Sequence, residues 1–279
     1  MRLDVKKTYK LFIGGAFPRS ESGRSYQIKD SQGNFIANPA QASRKDLRDS
    51  VLAAKNASAQ WSSATAYNRG QILYRIAEIM EGRRDQFVAE IVALEGITST
   101  AAVKQVYEAI DTWVWYAGWT DKISSTAGST NPIAGPYYNF TIPEPLGVVG
   151  IFAEQKSSLL GLVRGLAPVL AAGNTAVVVA SEKRPLPAIT LSECFATSDV
   201  PAGVVNILTG ITSELAPWMA SHMEVDGIDI SGLDTKSDAE IRIAGTENLK
   251  RIHRFKSDNS PDRILSFMEY KTVWHPIGI

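Results

Sequence analysis

Three sets of residues in this chain carry side chains able to do chemistry. The first follows the apolar run GVVGIFA, where Glu154, Gln155 and Lys156 put a carboxylate, an amide and an ammonium on one turn. Such a turn could hold an anion or polarise a carbonyl oxygen, because a lysine brings a mobile point charge. The second is the only thiol, Cys194, in LSECFATSD. A cysteine attacks as its thiolate, which needs an electropositive and accessible setting; a helix away from the strand ends makes Cys194 a small buried or surface thiol instead. The third is the set His222, His253 and His275, which share no ligand spacing with one another or with Cys194, so no metal site is expected.

The elements that must position these residues are read from the hydrophobic pattern. Residues 8–37 alternate short β-like runs with Gly and Pro and predict a small meander at a domain edge. From Ser43, an N-cap residue, Leu47, Val51, Ala54, Ala57 and Trp61 recur at helical spacing. Helices are expected over 66–81, 84–95 and 98–124. The last carries Trp113, Trp115, Tyr116 and Trp119 almost all round its cylinder, which reads as core rather than as a ligand cage. Residues 131–146 alternate Tyr137, Tyr138, Phe140 and Ile142 before PEPLG, a hairpin projecting from the body.

Beyond residue 147 strands and helices alternate. GVVGIFA, NTAVVVAS, GVVNILTG and DGIDISG are strands; LLGLVRGLAPVLAAG, residues 186–197, SELAPWMAS and residues 235–251 are helices. Uniformly apolar strands joined by helices predict an α/β fold, a parallel sheet with helices on both faces. Ligands of such sheets sit at the carboxyl ends of the strands, here near Ala153, Ser181, Gly210 and Gly232.

Composition narrows the function. The chain has 279 residues, 44% hydrophobic and 21% charged, enough for one large or two smaller globular domains. Lys plus Arg equals Asp plus Glu at 29 each, so no net field draws in nucleic acid or an anionic membrane. A single cysteine rules out an internal disulfide and favours a reducing compartment. No run suits a signal peptide, and none approaches the roughly 20 apolar residues of a spanning helix, so a cytoplasmic protein is expected.

Seven blocks, LFIGGAF, PLGVVGIFA, LAPVLAAGNTAVVVASEKRPLPA, DVPAGVVNILTG, ASHMEVDGIDISG, ENLKRI and EYKTVW, occur in the order found in one family. With them the chain resembles the aldehyde dehydrogenase superfamily. It is most similar to the truncated, non-catalytic second unit of the long two-unit class called family 16. The resemblance implies that residues 1–130 are the N-terminal part of a dinucleotide-binding-like domain and 147–258 its Rossmann-like core. It also implies an oligomerisation element made of the 131–146 hairpin and a C-terminal strand within 259–279.

In that family a cysteine thiolate attacks an aldehyde, a side-chain amide helps hold the oxyanion, a glutamate activates water and a bound nicotinamide takes the hydride. The family's Pro-Trp-Asn, source of the amide, corresponds to Glu154, Gln155 and Lys156 here, and Glu154 would compete for the Lys156 ammonium. The family's Lys-Pro-Ser-Glu, whose Lys and Glu hold the adenosine ribose, corresponds to Val179, Ala180, Ser181 and Glu182, so one ribose clamp survives. Its glycine-rich turn matches Gly232, but a later glycine is matched by Ser237, whose Cβ obstructs the close approach of a pyrophosphate. After Ile252 the family continues into a catalytic domain; this chain has only HRFKSDNSPDRILS before its C-terminal strand. The resemblance therefore implies no catalytic residue in place, no catalytic domain, and NAD as the cofactor, with Ser181, Glu182, Gly210 and Gly232 left to bind it.

Two function classes follow. One is a pseudoenzyme acting in assembly or regulation, as a homo-oligomer or in complex with a full-length aldehyde dehydrogenase. The other is an NAD(P)-dependent oxidoreductase acting on aldehydes, alone or with a partner.

Overall fold

The computed structural model describes residue 3 and residues 5–278. The first part of the chain forms a short ribbon, β1 (Ile28–Lys29) and β2 (Phe35–Ala37), and then the helices α1 (Arg44–Ser63), α2 (Ala66–Gly82), α3 (Arg84–Glu95), α4 (Ser99–Ala117) and α5 (Ile123–Ala127). Next come β3 (Ser129–Thr130) and β4 (Tyr137–Pro145). The alternating part follows as β5 (Val148–Phe152), α6 (Leu160–Ala171), β6 (Thr175–Val179), α7 (Leu186–Phe195), β7 (Val205–Leu208), α8 (Thr212–Ser221), β8 (Gly227–Asp229), α9 (Asp238–Gly245) and β9 (Arg251–His253). The chain then passes through a single turn, α10 (Asp262–Leu265), into β10 (Met268–Pro276).

Strands β5 to β9 form a parallel sheet in the order β7-β6-β5-β8-β9. The chain winds outward from β5 in one direction and then the other, so the crevice where ligands of doubly wound sheets bind opens between β5 and β8. Side chains alternate across the strands. Val149, Ile151, Ala176 and Val178 pack toward α2, α4 and α6, whereas Val148, Phe152, Val177 and Val179 pack toward α1 and α8. Each of the buried valine, isoleucine and phenylalanine side chains among these contributes roughly 1.5–3 kcal/mol. Helix α1 starts where expected: Ser43 and Asp46 form a reciprocal capping box, and Leu47, Val51, Ala54, Ala57 and Trp61 are all buried. Trp113 and Tyr116 are core residues, with Trp115 and Trp119 packed against them.

Four local expectations need correction. Residues 8–37 do not form a meander of their own: Phe12 bonds Ile207 in both directions, at 2.9 and 2.7 Å, and so lies against the β7 edge of the main sheet. The helix expected over 98–124 ends at Ala117, where Gly118 takes the cap and a turn leads into α5. The hairpin over 131–146 is one long strand, β4, between the two-residue β3 and β10. Finally, the helix expected over 235–251 breaks. Leu249 takes a left-handed conformation at φ 57°, the buried Lys250 ammonium donates to the carbonyls of His222 and Val225, and the chain becomes a fifth strand.

The passage from β9 to β10 is short and tied down. Asn174, fully buried, accepts from Gly147 N at 2.8 Å and donates to Phe267 O at 2.8 Å, fixing where the final strand begins. Tyr116 Oη donates to Ser260 O, Asn259 bonds Thr112, and Ile264, Phe267 and Met268 enter the core. No helix among the described residues is long and apolar enough to cross a membrane.

Candidate functional site

A cleft of about 490 Å³ opens at the carboxyl ends of the sheet, between the turn after β5, the turn after β6, the start of α8 and the turn after β8. Lys156, Glu182, Arg184, Thr212, Leu233 and Ser237 are among its lining residues. The location follows from the winding of the sheet, since successive strands end together and their loops splay apart at the reversal of strand order.

Gln155 is the hub of this cleft, a role that its sequence position did not reveal. Its side-chain oxygen accepts from Glu182 N at 3.0 Å, its side-chain amide donates to Ala153 O at 3.0 Å, and its carbonyl accepts from Ser181 Oγ at 3.2 Å. The Ser181 hydroxyl is thus directed into the protein. The Glu182 carboxylate accepts from Thr212 N at 3.0 Å, so it stabilises the positive end of α8 as well as lining the cleft. Tyr26 lies beside Glu182 and Gly210; burial first, and then the Glu182 charge, push its phenol well above the usual range.

The two glycines named from the sequence serve close packing within the protein. A Cβ on Gly232 would lie 2.1 Å from Ala153 O, so this residue must be glycine for the turn after β8 to cross the end of β5. Gly210, at φ 155°, abuts the backbone of Ala42 and does not line the cleft. Ser237 does line it, just before α9.

Lys156 and Glu154 face different spaces, which corrects the expected competition between them. Lys156 is exposed on the rim of the cleft, where Arg184 holds its carbonyl at 2.7 Å. Glu154 packs over Gly161 and accepts from Ser257 at 3.3 Å, beside an internal cavity of about 50 Å³. Asp229, Arg164 and Arg263 also line that cavity. Asp229 is buried, which raises its carboxyl above the ordinary range despite hydrogen bonds from Ser231 and the nearby Arg263 and Arg254.

Cys194 is fully buried on α7, its thiol near Thr190 O, and burial pushes its pKa up to about 12. It is therefore neither accessible nor ionised near neutrality. Among the described residues no group of three or more His, Cys, Asp or Glu side chains is placed to hold a metal ion.

The residues present fit one half of a dinucleotide. The Thr212 hydroxyl is buried in the cleft wall without a hydrogen-bond partner, Ala216 and Leu233 offer apolar surface, and Lys156, Lys183 and Arg184 supply positive charge at the rim. The residues beyond β8 do not fit the other half. Arg254 donates to Ser231 O and Leu233 O at 3.2 and 3.0 Å and pairs with Asp238, while Phe255 N donates to Ser231 Oγ at 2.9 Å. This segment thereby lies across the end of β8.

Comparison with known proteins agrees with this architecture. The model of the aldehyde dehydrogenase family matches residues 17–260. Cytosolic 10-formyltetrahydrofolate dehydrogenase from Pongo abelii is 34% identical over 266 residues, covering 92% of this chain and 29% of the relative. Retinal dehydrogenase 2 from Gallus gallus is 33% identical over 275 residues, covering 95% of this chain and 52% of the relative. An aldehyde dehydrogenase from Bacillus cereus, solved as an NAD+ complex, superposes with a TM-score of 0.83 at 26% identity, covering 88% of this chain and 50% of that structure. The chain thus spans about half, or less, of the length of the curated relatives it matches.

Proposed function

The chain belongs to the aldehyde dehydrogenase family, and from that membership we propose that it is a non-catalytic assembly or regulatory subunit of a full-length aldehyde dehydrogenase. The observation that carries this reading is the direct passage from β9 to β10. Residues 254–267 hold only the four-residue α10 between two strands, and they are packed against α4 and α6. Such a segment is loop-sized and leaves no room for a domain bearing a nucleophile. The chain's one thiol is buried and protonated, and the turn that carries the oxyanion amide in the family presents Lys156 on an exposed rim.

The partner would be recognised through β10. Its inner side pairs with β4 along nine residues, and its outer edge pairs with no strand among the described residues. Tyr270 and Trp274 are more than half exposed there. An unpaired edge with aromatic side chains invites a strand from another chain. Co-expression with a full-length aldehyde dehydrogenase, tagged capture and sizing chromatography test this: a stable mixed complex is expected, whereas monomeric elution with no partner captured would count against it. Elution as a homo-oligomer alone would replace the mixed complex with self-association.

A second reading is supported by the cleft: the chain retains nucleotide binding, as the NAD+ complex of its structural neighbour suggests. Calorimetry with NAD and NADP tests it, and absence of heat at millimolar cofactor would remove it, along with the NAD(P)-dependent oxidoreductase function that depends on it.

A further inference from the structure

A second concavity, of about 630 Å³, lies on another side of α8 and is within the roughly 300–1,000 Å³ spanned by small-molecule sites. It forms where the start of α1 meets the end of α8, and it shares no lining residue with the strand-end cleft. Two residues along a helix turn its surface by about 200°, so Trp218 faces this space whereas Ala216 faces the cleft. Leu47, a member of the core cluster that joins α1 to α8, lines its base. Trp218 and Met223, 41% and 64% exposed, leave apolar surface open around it.

The charges around this space leave one cation uncompensated. Glu21 accepts from Ser43 Oγ at 2.8 Å and pairs with Lys45 at 3.6 Å, while Arg48 pairs with Asp49 at 2.9 Å. Burial first, and then the Lys250 charge, hold the His222 imidazole below its usual range, so it adds no positive charge near neutrality. The start of α1 is satisfied within the chain, because Ser43 Oγ accepts from Lys45 N and Asp46 N. Arg44 differs from its neighbours. No carboxylate among the described residues pairs with it, and its guanidinium lies over the Trp218 ring at 3.7 Å from the centroid. A guanidinium laid on a ring face keeps its in-plane N–H fork free, and that fork matches the two oxygens of a carboxylate. One free cation beside exposed apolar surface suits a monoanion better than a phosphate dianion. We infer that this concavity binds a monocarboxylate with an apolar tail, the carboxylate on Arg44 and the tail along Trp218, Met223 and Leu47.

The test is calorimetric titration of the full chain, at one fixed salt concentration, with octanoate, octan-1-ol, acetate and octyl phosphate, while tryptophan fluorescence is followed. Octanoate should bind at least about tenfold more tightly than octan-1-ol or acetate, and octyl phosphate no more tightly than octanoate. Arg44→Gln leaves the Ser43 cap in place and should unfold in urea as the parent does. It should weaken octanoate roughly tenfold, as expected for a lost charge-assisted contact, and change octan-1-ol by less than about twofold. Trp218→Phe keeps an apolar ring on α8, so octanoate should still bind within about threefold of the parent, with its fluorescence response lost. Octan-1-ol binding as tightly as octanoate, or equal octanoate affinity in Arg44→Gln, would overturn the inference by showing that the carboxylate is not read. A fluorescence response that survives Trp218→Phe would overturn it by placing the ligand elsewhere. Octyl phosphate binding more than tenfold tighter than octanoate would overturn the choice of a monoanion, and absence of octanoate binding at millimolar concentration would overturn the site itself.

Discussion

Gly232 and Asp229 sit within four residues of each other and show why single positions were hard to interpret from their type. A glycine at a strand end reads naturally as room for a phosphate, yet Gly232 is required by the carbonyls of Ala153 and Phe152. Gly232→Ala should therefore destabilise the fold by about 3 kcal/mol or more, the range of overpacking at a site that cannot yield, whether or not a nucleotide is present. Urea unfolding with and without NAD measures this. Asp229 carries a carboxyl whose folded-state pKa is raised by burial above its unfolded value near ~3.9. The folded state holds that proton more tightly, so its contribution to stability is complete at low pH and is lost as pH rises through the folded pKa. Asp229→Asn keeps an acceptor for Ser231 and removes this dependence. The stability of the variant relative to the parent should increase between pH 4 and pH 8; a constant difference would show that the carboxyl titrates normally. Neither role was visible in the sequence, because the partners of both residues come from distant segments: Gly232 meets the end of β5, and Asp229 lies near Arg254 and Arg263.

At the scale of elements, much of the α/β part could be read in advance because burial on both faces leaves a uniform apolar signature. Val148–Phe152, Thr175–Val179 and Val205–Leu208 are buried at every residue. Strand β9 lacks that signature: its three residues are only partly buried, it lies at an edge, and after α9 ends at Gly245 a further tight turn, Thr246–Asn248, runs on to the left-handed Leu249, so the helical pattern continues past the true helix end. The role of Gln155 is not legible in the sequence, since its hydrogen bonds to Ser181 and Glu182 join loops that meet only when β5 and β6 pair. The segment 254–267 could be judged by length but not by packing. Its anchor is Arg263, 4% exposed, with its guanidinium bonded to Arg164 O and Lys256 O and set over the Phe255 ring at 4.8 Å. Arg263→Met should cost about 2–4 kcal/mol, because buried carbonyls lose charged donors. It should also move the first site of limited proteolysis into residues 254–263. Unchanged stability and an unchanged cleavage pattern would mean that the segment is held by its apolar residues alone.

For the molecule as a whole, the decisive feature is that the chain turns from a dinucleotide-binding type of sheet directly into an edge strand offered to solvent. In β4 the carbonyl of Asn139 bonds toward β3, while Leu146 N bonds Phe267 O. Backbone direction alternates along a strand, so Lys271 and Val273 face β4 and Thr272 points its N–H outward. Thr272→Pro removes that outward donor and leaves the internal ladder whole. It should lower capture of an aldehyde dehydrogenase partner at least about tenfold while changing unfolding free energy by less than about 2 kcal/mol, since besides the outward donor it removes only the exposed hydrogen bond between the Thr272 and Thr141 hydroxyls. Equal capture by the variant would place the contact elsewhere on the molecule. The absence of a nucleophile-bearing domain between β9 and β10 is tested most directly by aldehyde oxidation. The purified 279-residue chain is supplied with NAD and short aldehydes, alongside its Cys194→Ala variant. The expected result is no turnover above the protein-free rate for either. Sustained NADH formation by the parent chain alone would contradict the assignment, and its loss in Cys194→Ala would identify the buried thiol as the nucleophile after all.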